Sequence, residues 1–218
     1  MATQVDSATP DRQWYIVGRW QEFEGEARAN LLRIVAIGVF YIGQLISFYV
    51  FTTHDETDPI FLEARTVHQA ATALAVAGSL VSLAILLCLR RRIFPAALKY
   101  ISTTSDVVLV TCLASIGSGP KSPLVVVYFL IIAMAGLRFS LGLIWCATIG
   151  TMLGYLALVG IKDDTWFDPN HFVEPVEQIM TLAALALTGI VLGQVVRRVR
   201  SLADEYSRRV AAAAETAP

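Results

Sequence analysis

One acidic residue, Asp106, lies well inside an apolar stretch and is the residue best placed to do chemistry there. Ser102 and Thr103 fall on the same helical face, one turn earlier. A carboxylate in hydrocarbon is costly unless it is paired, protonated or hydrated. If the segments on either side of Pro120 form an antiparallel hairpin, the long side chain of Arg138 reaches Asp106, and we expect the two to pair. The alternatives are a protonated carboxyl bonded to nearby hydroxyls, or a role in handling ions, protons or a ligand.

The segment Gly117–Leu124, which reads GSGPKSPL, is the second feature whose residues could take part in chemistry. Glycine and proline break the helices on both sides of it, and Pro123 suits the first turn of the helix that follows. One interpretation is a plain helix-breaking turn. The other is a ligand site, for which the candidate residues are Gly119, Lys121, Ser122 and Pro123.

This turn resembles one found in the input modules of bacterial sensor histidine kinases of the redox-responsive RegB type. That family has six membrane spans and a GGxxNPF motif between the third and the fourth, and Gly119, Ser122 and Pro123 fall on it here. Ser118 replaces the first glycine, Ser122 replaces the asparagine, and Leu124 replaces the phenylalanine. The resemblance implies a sensory input module with a quinone as the cofactor sensed at this turn.

The three histidines, His54, His68 and His171, are all expected on the outer side of the membrane, together with nine of the 18 acidic residues. Imidazole and carboxylate groups suit zinc or a similar divalent metal, and histidine titration near neutral pH suits pH sensing. Three separate segments would have to converge to bind one metal ion. The remaining interpretation is that these are solvated loop residues.

The composition requires a membrane environment for these groups. The chain has 218 residues, of which 56% are hydrophobic and 16% charged, whereas soluble domains have about 45–50% apolar and about 25% charged residues. Residues 66–89 and 139–161 carry no charge at all, and about 20 such residues suffice to cross about 30 Å of hydrocarbon. A net charge of −1 argues against a nucleic-acid partner. The sequence therefore predicts a polytopic protein of the lipid bilayer.

We predict an all-α fold, a bundle of six transmembrane helices over residues 31–196. The predicted spans are Leu31–Thr53, Thr66–Leu89, Ala96–Gly117, Pro123–Leu137, Ser140–Ile161 and Glu177–Val196. Only a tight turn at Arg138 separates the fourth span from the fifth. A single helix over both would greatly overshoot the bilayer.

The flanking segments have distinct patterns. Residues 1–12 are predicted to be disordered, and residues 13–30 to form an amphipathic helix in the membrane interface, with Glu26 on its polar face. Residues 197–218 carry apolar side chains at spacings of three and four, which predicts a cytoplasmic helix of coiled-coil type. Paired glycines in the fifth and sixth spans, such as Gly189 and Gly193, indicate close helix packing inside the chain or a homodimer.

Basic residues set the predicted orientation, because lysine and arginine concentrate on the cytoplasmic side. Of the 17 lysines and arginines, only Arg65, Lys121 and Lys162 fall outside when both termini are placed in the cytoplasm. With the family resemblance, this predicts a protein of the bacterial inner membrane.

The hypothesis favoured by these patterns is a sensory or anchoring module that relays a signal through its last span to a cytoplasmic partner bound to residues 197–218. The alternative is a small transporter or channel subunit that uses Asp106 as an intramembrane polar relay. Enzymatic activity is not expected, because the sequence has no HExxH motif, no P-loop and no pair of catalytic carboxylates.

Overall fold

The computed structural model describes residues 9–51, 59–91, 97–162 and 173–215, and these residues form an all-α bundle, as predicted. Two single-turn 3-10 helices, Gly119–Lys121 and Pro123–Val125, lead into the fourth helix. The helices are α1 (Thr9–Phe51), α2 (Pro59–Arg90), α3 (Leu98–Ile116), α4 (Val126–Leu137), α5 (Leu141–Lys162) and α6 (Pro175–Glu215).

Four helices in the described part of the chain are long and apolar enough to cross a membrane. These segments are Phe23–Val50, Ala64–Arg90, Leu141–Lys162 and Pro175–Tyr206. Pro123–Leu137 is apolar but shorter, and α3 contains Lys99 and the polar run from Ser102 to Asp106, which lowers its hydropathy. The structure thus supports a lipid bilayer as the surroundings of this protein.

The first helix is longer than the sequence pattern indicates. Residues 13–30 and 31–53 are predicted as two elements, yet α1 runs without interruption from Thr9 to Phe51, over 43 residues. Good helix formers occupy the expected junction, and neither proline nor paired glycines interrupt it. As a result Glu26 and Arg33 lie seven residues apart, two turns along one face of a single helix.

Helix α5 lies at the centre of the bundle, in contact with α3, α4 and α6. Its buried face packs with α4 and α6 into one apolar core. The completely buried members of this core are Ala114 of α3 together with Tyr128, Ile132, Ala135, Leu143, Ile144, Ala147, Leu158 and Leu185. This arrangement fixes the end of α4, where the charged residues of the candidate site begin.

The predicted tight turn between α4 and α5 is present. The amide of Arg138 donates to the carbonyl of Ala135 over 3.3 Å, and that of Phe139 donates to Gly136 over 3.0 Å. Phe139 adopts the left-handed conformation, with φ of 49°, which is how many helices end. The chain reverses here and directs the side chain of Arg138 back into the bundle.

Glycines allow α5 to approach its neighbours closely. A Cβ atom added at Gly189 of α6 would lie 2.2 Å from the hydroxyl oxygen and 2.9 Å from the Cβ of Thr148, and one at Gly154 would lie 2.7 Å from the hydroxyl of Thr111 in α3. Gly193, one turn after Gly189, has more room, with its nearest neighbour, Leu141, at 3.8 Å. Two of the predicted small-residue positions therefore serve packing within the chain.

We expect Gly189→Ala to destabilise the bundle by about 1–3 kcal/mol, because the Cβ of Thr148 leaves no space that a rotamer change can provide. Gly193→Ala is the matched control, and we expect it to be neutral or slightly stabilising. Thermal unfolding of both variants in the same mild detergent measures the difference. Equal melting temperatures for the two variants would contradict the close α5–α6 approach.

Candidate functional site

A buried ion pair joins α1 to α3. Both nitrogens of the Arg33 fork donate to the carboxylate of Asp106, Nε to Oδ1 over 2.5 Å and Nη2 to Oδ2 over 2.7 Å. Arg33 is 4% exposed and Asp106 is 8% exposed. The third nitrogen, Nη1, donates to Asn30, whose amide donates in turn to the carbonyl of Ser82 in α2. One guanidinium group therefore links three helices.

A second buried ion pair joins the α4–α5 turn to α1. Arg138 Nη2 donates to Glu26 Oε1 over 2.8 Å, and Glu26 is only 1% exposed. Ser102, from α3, also lies within hydrogen-bond distance of Glu26 and of Arg138. Arg138 Nη1 donates to the hydroxyl of Thr103 and to the carbonyl of Lys99. Arg138 thus connects the turn to α1 and α3 at once.

The expected pairing of Asp106 with Arg138 is wrong. Arg138 lies near Asp106 but directs its hydrogen bonds to Glu26 and to α3, while Arg33 binds both carboxylate oxygens of Asp106. Glu26 is likewise found inside the bundle and not on an exposed polar face. The physical reason is the continuity of α1, which carries Glu26 and Arg33 into the bundle as two additional charges.

Two atoms of the second pair remain without hydrogen bonds. Glu26 Oε2 and Arg138 Nε are buried and have no partner in the structure. Arg138 lies in the connection outside both flanking helices, and burial lowers the pKa of its guanidinium, an effect that the charge of Glu26 opposes.

An apolar cavity of about 170 Å³ adjoins the first ion pair. It lies between α1, α2, α3 and α4, and Arg33 and Asp106 contribute to its lining. Along α1 the lining runs from Arg33 to Gln44, a rise of about 16 Å at about 1.5 Å per residue. Most of the other lining side chains are aliphatic, which suits a neutral, apolar molecule.

The turn residues proposed as a ligand site build the turn itself. Gly119 has a φ of 62°, the left-handed conformation that favours glycine, and its carbonyl accepts from the amide of Ser122 over 3.0 Å. The Ser122 hydroxyl accepts from the amide of Leu124 and so caps the next helical turn. Lys121 and Pro123 are exposed. A quinone at this turn stays a prediction.

Of the three histidines, only His68 belongs to the described residues, and His54 and His171 lie outside them. The ring of His68 stacks on Phe48, with 4.4 Å between the ring centroids and 11° between the planes. Its Nδ1 is buried without a hydrogen-bond partner. Within the described ranges, no three His, Cys, Asp or Glu side chains form a metal-binding group.

The two ion pairs and the polar groups bound to them form one buried network, and the sequence interpretation identified neither Asn30 nor Arg33 as part of it. Glu26, its third member on α1, was expected on the polar face of an interfacial helix. The spacing of four and three between these residues is the signal that identifies them, because it places all three on one face of a helix that enters an apolar segment. Treating residues 13–30 as a separate interfacial helix concealed this polar face.

Comparisons of the chain with protein-family models, with curated proteins and with solved structures found no match.

A double-mutant cycle tests the pairing. We expect Arg33→Gln and Asp106→Asn each to destabilise the fold by about 3–5 kcal/mol, because each leaves a buried charge without its partner. The coupling energy between these two substitutions should reach about 1–3 kcal/mol. The cycle of Asp106→Asn with Arg138→Gln is the control, and its coupling should be clearly smaller. Unfolding in detergent gives the free energies of the unaltered chain, of the single variants and of the double variant of each cycle. A larger coupling energy in the control cycle would support the pairing of Asp106 with Arg138 instead.

Proposed function

We propose that this chain is a sensory module of the bacterial inner membrane that passes a signal through α6 to a cytoplasmic partner. In this proposal α3 and α4 also cross the membrane, which gives six spans with both termini in the cytoplasm. Two buried ion pairs support six spans, since they pair the charges of α1 with those of α3 and of the α4–α5 turn. Charges that neutralise each other inside a bundle are tolerated in a bilayer. No catalytic role is proposed for the chain.

The contact between α6 and the α4–α5 turn is the observation that carries the proposal. Arg200 of α6 donates to the carbonyl of Phe139, the residue that follows Arg138. Helix α6 continues to Glu215, well beyond Val196, where the predicted span ends. Helix α6 is therefore attached to the α4–α5 turn at Phe139, and the neighbouring residue of that turn, Arg138, binds α1 and α3.

These contacts form a continuous path from the helices of the bundle to the tail. Glu26 binds Arg138, Arg138 precedes Phe139, and Phe139 accepts from Arg200. A displacement of α1 or α3 would thus change the position of the turn and of α6 with it. Chains of packed side chains and hydrogen bonds of this kind carry energetic coupling between distant sites.

The tail offers a surface for a partner. Val199, Leu202 and Tyr206 are 42%, 51% and 71% exposed, and they recur at spacings of three and four along α6. This is the spacing of a coiled-coil seam. We propose that the output partner, or a second copy of the chain, binds this stripe, in agreement with the resemblance to sensor-kinase input modules.

The geometry favours sensing over transport by way of Asp106. Both carboxylate oxygens of Asp106 are bound by Arg33, in a bidentate arrangement that is among the strongest hydrogen-bonded pairs. A relay that takes up and releases protons or cations would have to break this pair in each cycle. The cost of leaving either charge unpaired in the interior opposes that step.

A reporter that is active only as a dimer, fused after Pro218 of the full chain, tests the proposal. We expect Arg200→Gln to change the output several-fold, because it removes the bond from α6 to the turn. Arg197→Gln removes the same charge from an exposed position three residues earlier and should leave the output unchanged.

Identical outputs from the unaltered chain and from both variants, at equal expression, would contradict the coupling. A parallel measurement of proton flux in vesicles addresses the alternative. Flux through the unaltered chain that is lost in Asp106→Asn would favour a transporter or channel subunit instead.

A further inference from the structure

The cavity beside Arg33 and Asp106 has the properties of a binding site. Its wall on α2 is formed by Ala71, Leu74, Ala75 and Gly78. The short side chains of Ala71 and Ala75 leave space in this wall, whereas Gly78 packs against Ile37 of α1, where an added Cβ would lie 2.9 Å from Cδ1. Protein interiors are normally packed without voids much larger than a water molecule. A space of about 170 Å³ is close in volume to engineered apolar cavities of about 150 Å³ that bind benzene or xenon, although this one is open on one side.

The cavity opens towards the outside of the bundle between α1 and α4. Phe40 and Leu130, which line it from these two helices, are 40% and 38% exposed. Further along, α1 and α4 meet closely, and a Cβ added at Gly25 would lie 3.5 Å from the backbone of Leu137 and Arg138. The two helices are therefore in contact at one end and separated by the cavity at the other.

The charges at the cavity select against a charged occupant. Arg33 and Asp106 neutralise each other, and the carboxylate is bound through both oxygens. Among the described residues that line the cavity, no net charge remains to attract a phosphate or an ammonium group. The part of a molecule that enters must be neutral and apolar, and the hydrocarbon around these apolar helices supplies such chains.

We propose that this cavity binds a segment of the acyl chain of a bilayer lipid, which enters between Phe40 and Leu130 while its headgroup stays outside the bundle. Occupancy does not depend on the proposed signalling role, since it is measured without any output from α6.

Photo-cross-linking of the full chain in phosphatidylcholine vesicles tests this, with a phosphatidylcholine that carries a diazirine in one acyl chain as the probe. We expect adducts on Ile131 and Met134, which are only 2% and 7% exposed but line the cavity. Ile149, 55% exposed on α5, is the positive control for contact with bulk lipid, and Leu185, 0% exposed in the core, is the negative control.

Variants that fill the cavity give the decisive comparison. Ala75→Phe should reduce the adducts on Met134 several-fold and leave those on Ile149 unchanged. Ala73→Phe places the same ring on an exposed position of α2 and should change neither. Helicity measured by circular dichroism verifies that each variant folds. If the phenylalanine ring of Ala75→Phe prevents folding, Ala71→Leu serves as the filling variant instead.

Labelling of Ile131 and Met134 no stronger than that of Leu185 would overturn the proposal. Labelling that persists in the folded, filled variant would overturn it as well, because the adducts would then arise elsewhere.

Discussion

The position of Arg138 is the constraint on which the rest of the structure depends. Its guanidinium lies 8% exposed at the end of α4, where it binds Glu26 of α1 together with hydroxyl and carbonyl oxygens of α3. A charge in such surroundings is retained only if it is paired and hydrogen-bonded. The turn, α1 and α3 must therefore meet at this place, and the apolar packing of α4 and α5 is arranged around that requirement.

The fold class and the reversal at Arg138 follow from local signals. Long uncharged runs favour apolar helices, and the charge of Arg138 with the small polar residue Ser140 two positions later marks the turn between two such runs. The partners of the buried charges do not follow from local signals, because Asp106 has both Arg33 and Arg138 within reach. Which arginine it binds is decided by the rotation of α1 about its axis, and that rotation depends on packing between helices far apart in sequence.

The cavity and the network are two results of the same arrangement. Ala71 and Ala75 of α2 line the space between α1 and α4, and of the polar residues of the network on α1 Arg33 reaches it. Where Glu26 and Arg138 bind each other the helices close, and where the short side chains of Ala71 and Ala75 line the gap a space remains. The sequence pattern of a single helix does not predict the cavity, because four helices together enclose its volume.

The pairing of early charges with late ones also has a consequence for biogenesis. Glu26 and Arg33 leave the ribosome well before their partners, and Arg138 follows its partner Glu26 by roughly 6–22 s at synthesis rates of about 5–20 residues per second. During that interval α1 carries unpaired charges that hydrocarbon disfavours. The charged segment of α1 must then stay in the interface or beside the insertion machinery. It reaches its final position only after α3 and the α4–α5 turn have been synthesised and inserted.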